Sequence, residues 1–213
     1  MRANLAERRR LLNLHDPLSG AGRTGANRLP PLILVTDAAR LPDPAAAIRR
    51  LPRGAAVILR HYDAPERAGL ARRLAALCRR RGVRLLVAGD GRLAAAIGAG
   101  GVHLPEAMAR RGPMGWGGGG FRRPGFLVTA AAHSPAALWR AARAGADAAL
   151  LSPVFPTASH PGASGIGVIR FAAWCRRSPL PVYALGGIDR RAARRLKGTG
   201  MVGFAGLAGI ARA

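Results

Sequence analysis

Three groups of residues in this chain have types and spacing suited to moving a proton or holding an anion. His133 stands directly ahead of Ser134-Pro135, a pair that opens a helix. A lone histidine is more often structural, but an imidazole titrates near neutrality, so one placed at a rim can serve as general acid or base. The second group is two open backbone stretches, Gly186-Gly187-Ile188-Asp189 and Gly206-Leu207-Ala208-Gly209-Ile210. Glycines let main-chain amides approach an anion closely, and a helix N-terminus supplies more of them, although each glycine pair taken singly is more often a turn. The third is the loop Ser152-Pro153-Val154-Phe155-Pro156-Thr157-Ala158-Ser159-His160-Pro161-Gly162. Its prolines stiffen a segment whose hydroxyls, at Ser152, Thr157 and Ser159, and whose imidazole, at His160, could hold phosphate oxygens or cover a substrate.

The elements that must position these groups follow from hydrophobic periodicity. From Leu32 onward a short apolar run alternates with a longer Ala/Leu/Arg pattern, and the alternation continues to the end of the chain. The runs predict strands at Leu32–Thr36, Ala56–Arg60, Arg84–Val87, Gly101–Leu104, Phe126–Ala130, Ala148–Leu151, Val182–Leu185 and Met201–Ala205. Helices are predicted at Pro44–Leu51, Pro65–Arg81, Arg92–Ala99, Pro135–Ala144, Val168–Arg177 and Arg190–Gly200, most with apolar residues at three-to-four spacing. Parallel strands need such crossovers, and eight units in one domain predict an α/β fold of the closed (β/α)8 type, a TIM barrel. In that fold the active site lies at the C-terminal strand ends, and phosphate commonly binds beyond the seventh and eighth strands. The glycine stretches fall at those two ends, His133 follows the fifth strand, and the Ser152 loop follows the sixth.

Two regions depart from the alternation. After the fourth strand only Glu106 to Arg111 can be helical before Gly112-Pro113-Met114-Gly115-Trp116-Gly117-Gly118-Gly119-Gly120, so the fourth helix is degraded. That run reads as a surface loop, or as a lid carrying Trp116 over the barrel mouth. Residues 1–31 are basic and rich in breakers, and are expected to be a flexible N-terminal arm preceding a barrel of residues 32–213.

Composition excludes several classes. The apolar runs are far shorter than the roughly 20 residues of a membrane-spanning helix, and no apolar run follows the charges at the N-terminus. A cytoplasmic protein is therefore expected. Cys78 and Cys175 fall within predicted helices and read as inert thiols, because a disulfide framework or zinc site needs more ligands. The formal net charge of +24 invites a nucleic-acid reading. Against it, the arginines are spread over nearly every helix and the few aromatics do not interleave with them, so no stacking platform forms. Solvated helix faces account for the charge.

From Leu32 to Ile210 these residues, in this order, resemble the family of thiamine-phosphate synthase and thiazole tautomerase. Ile33-Leu34-Val35-Thr36-Asp37 looks like its opening strand, and Gly98-Ala99-Gly100-Gly101-Val102-His103-Leu104 is similar to its Gly-Ala-Asp-Gly-Val-His-Leu. Gly145-Ala146-Asp147 resembles its Gly-Ala-Asp before the sixth strand. The most specific likenesses are Ser152-Pro153-Val154-Phe155-Pro156-Thr157 to Gly-Pro-Ile-Phe-Pro-Thr, and Pro181-Val182-Tyr183-Ala184-Leu185-Gly186-Gly187-Ile188 to Pro-Val-x-Ala-Ile-Gly-Gly-Ile. The resemblance implies a role in thiamine biosynthesis. The synthase joins a hydroxymethylpyrimidine diphosphate to a thiazole phosphate with Mg²⁺, and the tautomerase shifts a proton to make the thiazole aromatic without a metal.

The departures are uneven. The family's Asn-Asp after the third strand falls on Ala88-Gly89, leaving Asp90 one residue along as a substitute. Its Gly-Gln-Glu-Asp becomes Pro105-Glu106-Ala107-Met108, and of its Gln-x-Arg-x-Lys only Arg60 remains. Its lysine after Pro-Thr-x-Thr becomes His160, and its serine at the final helix becomes Ala208. The diphosphate and metal half is thus largely missing, with Asp90 and Glu106 as the candidate Mg²⁺ ligands if the chain is a synthase and no cofactor otherwise. The thiazole-phosphate half survives as Thr157, Ser159, Gly186, Gly187 and the amides of Leu207 and Ala208, with Arg60 and Ser152 toward the rest of the substrate. His133 matches the tautomerase acid/base, although many synthases also have a histidine there.

Three functions remain open at this stage. Tautomerase-like proton transfer by His133 is preferred, followed by a synthase with a remodelled metal site, then a non-catalytic phospholigand-binding protein. The expected partner in each is a small phosphorylated compound, a thiazole phosphate, rather than a membrane or a nucleic acid.

Overall fold

The computed structural model describes residues 29–113, 122–157, 162 and 164–206. Its strands are β1 (Leu32–Val35), β2 (Ala56–Leu59), β3 (Arg84–Ala88), β4 (Gly101–Leu104), β5 (Leu127–Ala132), β6 (Ala148–Leu151), β7 (Val182–Leu185) and β8 (Gly203–Gly206). Between them lie α1 (Ala45–Arg50), α2 (Arg67–Arg81), α3 (Gly91–Ala96), α4 (Glu106–Ala109), α5 (Pro135–Arg143), α6 (Val168–Arg177) and α7 (Arg190–Arg195). The eight strands pair in sequence order, and β8 closes on β1. Every pairing is parallel, with registers such as Ile33↔Ala56, His103↔Thr129 and Leu34↔Gly206.

Closure sorts the side chains by the period-two alternation of a strand. Ile33, Val35, Ile58, Leu86, Leu150 and Tyr183 fill the barrel interior as one cluster. Their neighbours Leu34, Val57, Leu59, Leu151 and Phe204 point outward and pack with Ile48, Leu74 and Phe171 from the helices. Both strand faces are therefore apolar, which is why the strands read as continuous hydrophobic runs.

Local signals set the helix ends that matter for the mouth. Ser134 accepts from the Ala137 amide at 3.2 Å, with Pro135 in the first turn of α5. Asp90 caps α3 through the Leu93 amide at 2.8 Å, and Asp189 caps α7 through Ala192 at 2.7 Å. Each such cap is worth about 1 kcal/mol. The degraded fourth helix is the single turn α4. Several elements end earlier or start later than the periodicity predicts. Helix α3 stops at Ala96 and α7 at Arg195, each followed by a glycine at positive φ (Gly98 at 63°, Gly198 at 78°) that bars continuation, and β8 starts at Gly203 rather than Met201.

The floor of the barrel is sealed by polar bonds as well as packing. Tyr183 donates its hydroxyl to the Pro30 carbonyl at 2.7 Å, and the Phe204 amide donates to the Pro31 carbonyl at 3.2 Å. Leu29 packs against the interior cluster. Leu29, Pro30 and Pro31, grouped above with the arm, are thus seated under the barrel, while residues 1–28 lie outside the described residues. Asp147 accepts from the Val128 amide at 2.9 Å and pairs with Arg122, giving the Gly-Ala-Asp motif a structural purpose. At Gly100, where the family has aspartate, a Cβ would stand 2.4 Å from Cγ of Arg84. The arginine takes the space the family side chain would use. A hollow of about 330 Å³, lined by Gly54, Arg79, Arg84 and Gly100 among others, opens at this same end, away from His133.

Both cysteines agree with the inert reading. Burial pushes the Cys78 and Cys175 thiols up to about 12, against a smaller opposing pull from Arg79 and Arg176 respectively, so neither is a thiolate at neutral pH. Among the described residues no helix is long and apolar enough to cross a membrane.

Candidate active site at the barrel mouth

The C-terminal strand ends gather Asp37, Arg60, Asp90, Glu106, His133, Ser152 and the Gly186-Gly187 pair around one rim. Polar bonds divide these residues into three groups.

On the β4–β5 side, Glu106 is the hub. Its Oε2 lies 2.6 Å from Nδ1 of His133, and its Oε1 accepts from both Arg110 and Arg140 at 3.0 Å. Burial alone would raise the carboxyl, but the hydrogen bonds from His133, Arg110 and Arg140 more than reverse this and hold it at about 2. The group is therefore an ionised acceptor with both oxygens engaged. His133 follows the last residue of β5, and its side chain is about half exposed, at 46 %. The imidazole is held by a partly buried carboxylate and faces solvent at the mouth. Just inside the barrel, His103 sits against Thr129, Nδ1 to Oγ1 2.9 Å. Burial, with a smaller push from Arg60, drops it to about 3, so it is neutral under ordinary conditions.

On the β1–β3 side Asp37 and Asp90 are engaged by the chain's own groups. Asp37 accepts from the Ala39 and Arg40 amides at 3.2 and 3.1 Å and faces Arg60 at 3.7 Å. Asp90 spends one oxygen on the α3 cap, and the other is 3.5 Å from Arg67. Arg67 donates to the Ala88 carbonyl at 2.6 Å, closing the end of β3, and its guanidinium stands 5.6 Å from the centre of the Tyr62 ring. Thr36 accepts from the Arg60 amide at 3.0 Å and pairs with the buried His61 at 2.9 Å.

This donor set does not fit Mg²⁺. The ion requires several oxygen ligands in near-octahedral array, and a guanidinium beside each ligand opposes a dication. Asp90 and Glu106, the ligands expected from sequence, are each within ion-pair reach of an arginine, and Glu106 has three donors already. Among the described residues no three His, Cys, Asp or Glu side chains gather as a metal cluster.

On the β6–β8 side the geometry concerns backbone. The loop after β6 is stitched to β7 by Val154 N–H to Leu185 O at 2.9 Å and Phe155 N–H to Gly186 O at 3.1 Å. It folds back on itself through Ile166 N–H to Pro153 O at 2.8 Å and Gly167 N–H to Val154 O at 2.9 Å. Gly186 and Gly187 have φ of 92° and 64°, and a Cβ on Gly187 would meet the Pro156 carbonyl oxygen at 2.5 Å. Glycine is required there by conformation and by contact with the loop, whatever else the pair binds. Ser152 is buried, with its amide on the Ala132 carbonyl at 3.0 Å, next to His133. Thr157 is half-buried in the same loop. Ser159, His160, Leu207 and Ala208, the other expected phosphate contacts, lie outside the described residues, as does Trp116.

Sequence reasoning missed Arg110, Arg140 and Arg67. Arg110 was readable as an i, i+4 partner of Glu106. Arg140 lies 34 positions along, and only the packing of α5 against α4 brings it to the carboxylate.

Comparison with known proteins shows the family. Residues 32–210 match the family model described as thiamine monophosphate synthase. A protein of Aquifex aeolicus named "Putative thiamine-phosphate synthase 2" is 34% identical, over 71% of this chain and 80% of that protein. The thiamine-phosphate synthase of Thiobacillus denitrificans is 40% identical over 59% of this chain and 58% of its own length. The structure of thiamine phosphate pyrophosphorylase from Pyrococcus furiosus superposes with a TM-score of 0.70 at 24% identity, covering 88% of this chain and 90% of that one. The match runs from the first residue of β1 to beyond β8, and the chain belongs to the thiamine monophosphate synthase family.

Proposed function

We propose that this chain is a thiamine-biosynthesis enzyme that binds a thiazole phosphate at its barrel mouth and moves a proton on it, as a tautomerase does. The observation that carries the reading is the 2.6 Å contact between His133 and Glu106, set opposite a rim where Asp37 faces Arg60 and Asp90 faces Arg67. An imidazole at the rim can take a proton from the ring carbon of a non-aromatic thiazole tautomer and return one elsewhere on the substrate, which needs no metal. The phosphate would be held by the main chain around Gly186 and Gly187, by Thr157, Ser159 and His160, and by the Leu207 and Ala208 amides. Arg60 and Ser152 would border the remainder of the substrate. Two unpaired thiols suit a reducing compartment, in keeping with work in the cytoplasm.

A second reading, synthase activity, is supported by the names of the relatives. It requires Mg²⁺ to displace Arg67 from Asp90 or Arg110 and Arg140 from Glu106. The two readings part in one experiment. Purified protein supplied with the thiazole carboxylate tautomer should aromatise it at the same rate with and without EDTA. Supplied with pyrimidine diphosphate, thiazole phosphate and Mg²⁺, it should form no thiamine phosphate. Product in the second assay, with none in the first, overturns the proposal in favour of the synthase.

A further inference from the structure

The Glu106 carboxylate has an asymmetry that constrains which nitrogen of His133 carries a proton. Oε1 receives two guanidinium donors, from Arg110 on the next turn and Arg140 on α5. Oε2 receives His133. An ionised carboxylate can only accept, so Nδ1 must be the donor in the 2.6 Å contact, and in the neutral ring Nε2 carries the lone pair. Free histidine favours the opposite tautomer, so the protein imposes this one.

We propose that Glu106 is the positioning residue of His133: clamped by Arg110 and Arg140, it holds the imidazole in the Nδ1–H form and so makes Nε2 the nitrogen that takes a proton. This rests on the reading above, in which His133 is the acid/base, but concerns a residue that the motif comparison placed among metal ligands. Two arginines on one oxygen leave the carboxylate little freedom to rotate. Orientation of the base by a fixed third group is the logic of acid–base relays in general.

The isosteric substitution Glu106→Gln gives a sharp test. The two arginines demand an acceptor on their side, so the glutamine oxygen stays toward Arg110 and Arg140 and its NH2 group turns toward His133. Nδ1 must then accept, and the proton moves to Nε2. Long-range ¹H–¹⁵N NMR on full-length protein labelled at histidine reads the tautomer directly, with His133 assigned from the His133→Gln spectrum. The expected result is Nδ1–H for His133 in the wild type and Nε2–H in E106Q, with kcat falling about 100-fold or more and KM changing less than about threefold. Wild-type protein found as Nε2–H overturns the proposal whether or not the variant folds. An E106Q protein that keeps Nδ1–H overturns it equally. If the tautomer inverts as expected but neither protein aromatises the thiazole, the positioning stands and the reaction assigned above falls. Turnover in both proteins with an unchanged tautomer removes Glu106 from the mechanism and leaves the reaction standing.

Discussion

At the floor of the barrel Asp147 holds Arg122 and the Val128 amide, while at the mouth Glu106 holds Arg110, Arg140 and His133. Both are carboxylates drawn from water and satisfied by arginine. Asp147 uses its second oxygen on the main chain of β5, the strand that it steadies. Glu106 uses its second oxygen on a titratable ring. The difference teaches that an acid–arginine cluster carries no function by itself, and that what the remaining oxygen faces decides between scaffold and site.

That contrast can be broken in order of expected effect. His133→Ala should lower kcat for thiazole aromatisation by about 10²- to 10⁴-fold while leaving the melting temperature within a few degrees of wild type. A variant that melts much earlier at unchanged rate would move His133 to the scaffold side. Asp147→Ala should do the reverse. It strands a buried amide and a partly buried guanidinium, and denaturant titration should register a loss of about 3 kcal/mol, with kcat of the folded fraction retained.

Gly187→Ala tests the third side of the rim. A side chain at φ of 64°, with its Cβ 2.5 Å from the Pro156 carbonyl, should cost about 2 kcal/mol in the same titration. A neutral effect would show that the loop after β6 yields easily.

His103 gives a pH dependence. Its folded value is depressed from 6.5 to about 3, so the unfolded chain binds the extra proton between those values. The stability this buried neutral ring permits is fully present above about pH 6.5 and is lost as pH falls, at up to about 1.4 kcal/mol per pH unit. His103→Gln should flatten that slope in chemical denaturation across the window, and an unchanged slope would show that the ring is solvated. The smallest effect is expected at the cysteines. Native protein should react with a thiol-specific reagent far more slowly than unfolded protein at neutral pH, and rapid native labelling would contradict the raised thiol values.

Much of this was readable along the chain. Strand and helix alternation located the rim, and with it His133, Gly186 and Gly187, because in a parallel barrel every strand's C-terminal end faces the same way. The caps at Ser134 and Asp189 were likewise local, each bonded three residues ahead. The surroundings of Glu106 were not readable. Its motif position suggested a metal ligand, and only the fold shows that Arg140 and His133 approach it from α5 and the end of β5. Arg67 reaching the end of β3 from α2 is of the same kind.

The sequence by itself therefore determined the eight-unit barrel, the end at which chemistry belongs and the glycines of its rim, since these depend on periodicity and on backbone freedom within a few residues. The tertiary structure alone decided which charges meet. Side chains far apart in sequence come together only when helices dock on strands, and partial burial then strengthens each pairing beyond what it would be in water.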